Sequence, residues 1–179
     1  MNIANKLTTL RLFLIPVFVA AVMQFSIKSP IPGIIFLVAA ITDFFDGHLA
    51  RSRNLVTTFG KFIDPLADKM LVASALIMFI EQGIFPAWTV VIVIAREFLI
   101  TGFRIIAASE GVTIAASKWG KSKTVTQFVA IVMVLFMSKL TFIPFTITSV
   151  IYYISVALTV ISGMDYIIKN KEVLDLENI

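Results

Sequence analysis

The chain has 179 residues, of which 59% are hydrophobic and only 15% charged, against about 25% charged in an ordinary soluble domain. At about 20 residues per crossing, this composition predicts an all-α integral membrane protein with one domain, 1–179, and leaves little room for a separate soluble one. The absence of cysteine excludes disulfides and thiolate metal sites, and the net charge of +4 lies at segment ends and not on one polar face, which excludes a nucleic-acid surface.

Apolar stretches at 7–26, 31–51, 60–80, 84–108, 120–138 and 141–167 predict six transmembrane helices. The first, with Lys6, Arg11 and the run from Leu12 to Met23, has the charged and hydrophobic regions of a signal peptide. Pro16 and the bulky residues beyond Ala21 favour an uncleaved helix. Ser29-Pro30-Ile31-Pro32-Gly33 precedes the second stretch, Glu81-Gln82-Gly83 and Pro86 the fourth, and Glu110-Gly111 follows it. Trp88 and Trp119 fall near segment ends, at headgroup level. The sixth stretch has no charge between Thr141 and Met164, and residues 170–179 form a polar tail.

Orientation follows from the basic residues. With the N-terminus inside, Lys6, Arg11, Arg51, Arg53, Lys61, Arg104, Lys118, Lys121, Lys123, Lys169 and Lys171 lie at cytoplasmic ends, and only Lys28 and Lys139 lie outside. Both termini are expected in the cytoplasm, as is the loop between the second and third helices.

That loop joins the two segments most at odds with a membrane chain. Four of the 11 acidic residues, Asp43, Asp46, Asp64 and Asp68, sit in them. An Asp at mid-bilayer costs roughly 2.5–3.5 kcal/mol even on the mild insertion scale, so four together need cations or water. Counted from Arg51, Asp43 and Asp46 lie about 12 and 8 Å into the bilayer, and counted from Gly60, Asp64 and Asp68 lie about 6 and 12 Å in. Asp43 is expected level with Asp68, and Asp46 with Asp64. The i, i+3 and i, i+4 spacings put each pair on one helix face, so all four can converge in a polar cavity facing the cytoplasm.

Four carboxylates cannot all ionise in such a pocket without a cation between them. Hard divalent ions with oxygen ligands meet that demand, and Mg²⁺ usually keeps part of its shell for water or substrate phosphate. A pair of metals about 3.5–4 Å apart would suit a phosphoryl displacement. His48 lies about 200° around the helix from Asp46 and faces away. Gly47 and Gly60 leave room for a ligand or a second backbone, Ala50 keeps the face below Asp43 uncrowded, and Arg51 can take a phosphate bidentately. Small residues also pack membrane helices, and Arg51 also serves as a topology anchor; it is their ordered spacing that favours a site.

The string D-x-x-D-G-x-x-A-R, eight residues, then G-x-x-x-D-x-x-x-D, running from Asp43 to Asp68, resembles the signature of the CDP-alcohol phosphotransferases at every position. Asn5, Thr8 and Arg11 match a family N-terminal pattern, with Ala4 in place of its usual proline. Arg96-Glu97, Thr101-Gly102-Phe103-Arg104 and Lys118-Trp119-Gly120-Lys121-Ser122-Lys123-Thr124 resemble the branch that makes phosphatidylglycerophosphate. The resemblance implies a six-helix fold, a homodimer in a bacterial cytoplasmic membrane, and a site for two divalent ions, Mg²⁺ or Mn²⁺. It implies that Asp43, Asp46 and Asp64 hold metal with the CDP diphosphate, and that Asp68 is both ligand and base. Asn5, Thr8, Gly47, Ala50, Arg51 and Gly60 would line the cytidine diphosphate pocket.

The implied reaction takes CDP-diacylglycerol and glycerol 3-phosphate to phosphatidylglycerophosphate and CMP. A dianionic acceptor needs a basic subsite, and Arg104, Lys118, Lys121 and Lys123 are the nearest supply in this topology. The same residues would equally set orientation or greet anionic lipid, at about 1 kcal/mol each. Arg96 and Glu97 lie deeper, as a mutually neutralising pair. Inositol phosphate, serine, choline or phosphatidylglycerol as acceptor keeps the same chemistry. A cation-coupled transporter would instead spread its acids along a path.

Overall fold

Among the described residues, turn chemistry at a few positions separates six helices: Ile3–Phe25 (α1), Pro30–Ser52 (α2), Thr58–Glu81 (α3), Ala87–Ser109 (α4), Lys118–Leu135 (α5) and Phe145–Lys169 (α6). The computed structural model describes the backbone of residues 3–52, 58–109, 111, 114 and 117–170, with the side chains of 3–8, 43–52, 58–65 and 109 outside the description. No strand occurs among the described residues.

The helix ends follow from local sequence. α3 closes in a Schellman motif: Ile84 N donates to Phe79 O at 2.8 Å and Gly83 N to Ile80 O at 2.9 Å, with Gly83 at φ +66°. An L side chain resists that backbone, which is why glycine stands there. Pro86 then delays α4 to Ala87, later than the hydropathy onset at 84. Ser117 caps α5, its Oγ accepting from Gly120 N at 3.1 Å. Pro144 stands as N-cap of α6, so Thr141 to Ile143, apolar enough to read as helix, form the turn before it.

Charge density separates the helices in a second way. Among the described residues, only α6 is both long and apolar enough to cross a membrane by composition, and the described parts of α1 and α2, Thr9–Phe25 and Pro30–Thr42, are apolar as well. α4 carries Arg96, Glu97 and Arg104, and α5 carries Lys118, Lys121 and Lys123.

The chain divides into two compact units, 1–85 with 131–143 and 86–130 with 144–179. In the first, α1 packs against both α2 and α3, and α2 also meets α3. Phe18 and Phe36 are fully buried with ring centroids 5.8 Å apart, and Val22, Ala39, Ala75, Leu76 and Phe79 share the interior. Gly33 admits Phe136 so closely that an added Cβ would lie 2.7 Å from Cε2 of its ring.

In the second unit α4 packs against α6. Ile100, Phe103 and Tyr166 form its apolar cluster, with Ile114 against it. α6 also buries Ser155, Thr159 and Ser162, whose hydroxyls donate to Tyr152 O, Ser155 O and Thr159 O of the same helix at 2.7, 2.7 and 3.1 Å. Small side chains that satisfy themselves this way let membrane helices approach without orphaned polar groups. Phe13, Met23, Val91, Phe98, Ile105, Val125 and Ile168 are exposed, giving helices of both units an apolar exterior. A solvent of lipid tails suits such a surface, and packing then rests on van der Waals fit more than on water release.

Candidate active site

The acid-bearing segments lie on the facing ends of two consecutive helices. Asp46 is six residues from the last residue of α2, and Asp64 six residues from the first of α3. Each is therefore about 9 Å along its helix, while Asp43 and Asp68, nine and ten residues in, are about 14 and 15 Å along. The backbone at all four positions is helical, so the i, i+3 and i, i+4 spacings place Asp43 with Asp46, and Asp64 with Asp68, on common faces. Asp68 is exposed, and the next residue, Lys69, is half-buried.

The side chains of Asp43, Asp46 and Asp64 lie outside the described residues, as do those of Asn5, Thr8, Gly47, Ala50, Arg51 and Gly60. Among the described residues no three or more His, Cys, Asp or Glu side chains group as a metal site. The donor chemistry nonetheless fits hard cations: four carboxylates, no thiolate, and helical spacing that pairs them two by two.

α1 touches both acid-bearing helices and carries Asn5 and Thr8 in its first two turns. One turn further, Arg11 is completely buried. A guanidinium is tolerated in such surroundings only when acceptors satisfy it. The sequence marks Arg11 as a charge at the cytoplasmic end of a helix; its position inside the packed unit was not legible from a positive-inside count.

The second polar group belongs to α4, α5 and α6. Arg96 Nη1 donates to Glu97 Oε1 at 2.9 Å, the neighbour pair expected from the sequence. The same oxygen also accepts from Lys123 Nζ at 2.7 Å. Lys123 is buried, whereas Lys118 and Lys121 at the start of α5 are exposed. Arg104 is exposed too, with its guanidinium carbon 5.7 Å from the centroid of the Tyr166 ring. Of the four basic residues expected around the acceptor, Lys123 is thus held inside the second unit, and Arg104 rests on an aromatic platform. No spacing rule links Glu97 to a lysine 26 residues later, so their pairing had no sequence signal.

Residues 1–161 match the family model described as CDP-alcohol phosphatidyltransferase. The chain belongs to this family. The match includes both acidic segments and the Arg96, Glu97, Arg104 and Lys123 positions. A protein of Bacillus subtilis (strain 168) named CDP-diacylglycerol–glycerol-3-phosphate 3-phosphatidyltransferase is 38% identical over 192 residues, covering 99% of each chain. A protein of the same name from Rickettsia bellii is 37% identical over 171 residues, covering 92% of this chain and 93% of the relative. One from Salmonella paratyphi A is 42% identical over 141 residues, covering 75% of this chain and 76% of the relative.

Proposed function

We propose that this family member transfers the phosphatidyl group of CDP-diacylglycerol to glycerol 3-phosphate, giving phosphatidylglycerophosphate and CMP. The observation that carries the reading is full-length similarity to a relative named for that reaction, 38% identical across 99% of both chains. The residues agree with it. Asp43, Asp46, Asp64 and Asp68 are the set that would hold two divalent ions, Mg²⁺ or Mn²⁺, and such ions, when bound, offset the charge of a diphosphate.

The acceptor hydroxyl oxygen bonds to the phosphorus attached to diacylglycerol, the bond from that phosphorus to CMP breaks, and the hydroxyl proton passes to Asp68. An exposed carboxylate suits that role, because a general base must reach a water-soluble alcohol. Asn5, Thr8, Gly47, Ala50, Arg51 and Gly60 line the cytidine diphosphate on this reading, with Arg51 at its phosphates. Arg104, Lys118, Lys121 and Lys123 give positive charge for the acceptor phosphate, Arg104 as a planar fork and the lysines as point charges.

The six helices each span a bacterial cytoplasmic membrane, with both termini and the site on the cytoplasmic side, in a homodimer. The apolar exterior and the placement of basic residues support that topology. Purified protein given labelled CDP-diacylglycerol should release CMP and form a phosphorylated lipid when glycerol 3-phosphate is added. Stimulation by inositol phosphate, serine, choline or phosphatidylglycerol with none by glycerol 3-phosphate would reassign the acceptor.

A further inference from the structure

The oxygen shared by Arg96 and Lys123 raises a question of chemistry. Glu97 Oε1 accepts from Arg96 Nη1 at 2.9 Å and from Lys123 Nζ at 2.7 Å. A carboxylate beside a subsite for a dianion repels that ligand, so its presence needs a compensating role. The surroundings supply one.

Lys123 has a long flexible stem, and its side chain is only 4% exposed. A lysine ammonium is a compact charge on a flexible four-carbon stem, so it acts from one place only if something fixes it. Glu97 holds it through the 2.7 Å contact to its Nζ. Arg96 is itself seated between helices: a Cβ at Gly163 on α6 would lie 3.3 Å from its Cγ, and one at Gly120 on α5 would lie 3.5 Å from its Nη2. Gly120 is one turn before Lys123 on the same face of α5. The carboxylate therefore joins an arginine wedged against α5 and α6 to a buried lysine on α5. Its direction also matters. Glu97, Thr101 and Arg104 follow one stripe of α4, with Arg104 about 10 Å further along the helix.

We propose that Glu97 is a positioning residue for the acceptor subsite: through one oxygen it holds Lys123 and Arg96 in fixed relation, so that the anionic acceptor meets a preformed cationic edge without touching Glu97 itself. The proposal rests on the reading of Lys123 as part of the glycerol 3-phosphate subsite.

The test uses purified full-length protein in detergent micelles, with KM measured separately for glycerol 3-phosphate and CDP-diacylglycerol and with thermal unfolding followed alongside. Lys123→Met and Glu97→Gln are each expected to raise KM for glycerol 3-phosphate about tenfold, and the double variant to be no worse than either, since paired residues act as one unit. KM for CDP-diacylglycerol stays within about twofold throughout, and Glu97→Asp, which keeps the charge, raises the acceptor KM only about threefold. Losses that multiply in the double variant would overturn the positioning role, as would a Glu97→Gln protein that loses stability and kcat with both KM values unmoved.

Should Glu97→Gln not accumulate as folded protein, Glu97→Asp decides: a rise confined to the acceptor supports the proposal, and an equal rise for both substrates or none overturns it. If Lys123→Met leaves the acceptor KM unchanged in a protein that glycerol 3-phosphate stimulates, Lys123 leaves the subsite and the role of Glu97 goes with it. Wild-type protein unresponsive to glycerol 3-phosphate is a different failure, that of the function itself, and it shows before any variant is made.

Discussion

Arg104 lies with its guanidinium carbon 5.7 Å from the centroid of the Tyr166 ring, and Phe103 meets the same ring edge-on, with centroids 6.1 Å apart and planes at 90°. The phenol is thus a platform: it takes a cation over its ring and packs at right angles against Phe103 of the apolar cluster. An exposed cation–π contact is worth about 0.5–1 kcal/mol, enough to bias one guanidinium orientation but not to freeze it. The Tyr166 hydroxyl is buried and makes no hydrogen bond among the described residues. Tyr166→Phe should therefore keep the platform and be neutral or slightly stabilising in thermal unfolding, because a buried hydroxyl without a partner carries a desolvation cost of about 1–3 kcal/mol. Tyr166→Leu should lose both ring contacts and raise KM for glycerol 3-phosphate by about three- to fivefold, matching the small cation–π energy. Equal effects of Phe and Leu would remove the ring face from the explanation.

Gly33 on α2 is a packing position of a different kind. With a Cβ there only 2.7 Å from Phe136 Cε2 and 2.8 Å from Cζ, Gly33→Ala requires the ring to move. The contact is with the far end of a side chain, so the cost should be that of ordinary overpacking, about 1–3 kcal/mol. Gly33→Ala is expected to lower the unfolding temperature in detergent, and Phe136→Leu in the same protein to recover part of the loss. A double variant less stable than Gly33→Ala alone would show that the ring is not what the new methyl meets.

Thr89 and Tyr152 join α4 to α6 through a buried hydrogen bond of 2.7 Å between their hydroxyls. Thr89 Oγ1 also lies 2.7 Å from Pro86 O, to which it donates, which leaves the phenol as the donor to Thr89. Tyr152→Phe removes that donor but leaves Thr89 satisfied as a donor, so the loss should be about 1 kcal/mol of stability. Turnover and both KM values should stay at wild-type levels, since neither residue belongs to the proposed acid or acceptor groups. A loss of turnover without loss of stability in Tyr152→Phe would overturn this assignment to structure alone.

These residues mark what a sequence can and cannot reveal about this fold. The helices and their order were legible, because apolar runs and breakers such as Gly83 and Pro86 act locally. The ends were less so: 141–144 is apolar but turns, since Pro144 stands at the start of α6 rather than inside it. The helical backbone at Asp43, Asp46, Asp64 and Asp68 was legible, because their apolar surroundings carry the helix on both sides. The burial of Arg11 and the pairing of Glu97 with Lys123 were not. Both depend on which helices pack together, and hydropathy carries no information on that. Lys118, Lys121 and Lys123 look alike in sequence, and only Lys123 turns inward, with Gln127 buried one turn beyond it.

The acids divide their labour in a way that substitution can read. Asp43 is three residues from Asp46 on α2, while Asp68 is exposed, four residues beyond Asp64 on α3. On the proposed function, Asp43 is needed to hold divalent metal with the diphosphate, and Asp68 additionally takes the acceptor proton. Asn keeps the size of Asp and one oxygen donor but cannot accept the proton as a base or contribute negative charge. Asp68→Asn should therefore retain CDP-diacylglycerol binding, measured by equilibrium titration with Mg²⁺ or Mn²⁺ present, to within a few-fold of wild type, while its turnover falls by about 10²–10⁴, the usual worth of general-base catalysis. Asp43→Asn should lose turnover through binding, and the loss should be partly recovered by raising the metal concentration, a recovery that Asp68→Asn does not share. Removing divalent ions with a chelator should abolish turnover in the unaltered protein and restore it on replacement. If Asp68→Asn and Asp43→Asn lose binding equally and respond alike to added metal, Asp68 is a ligand only and the base lies elsewhere.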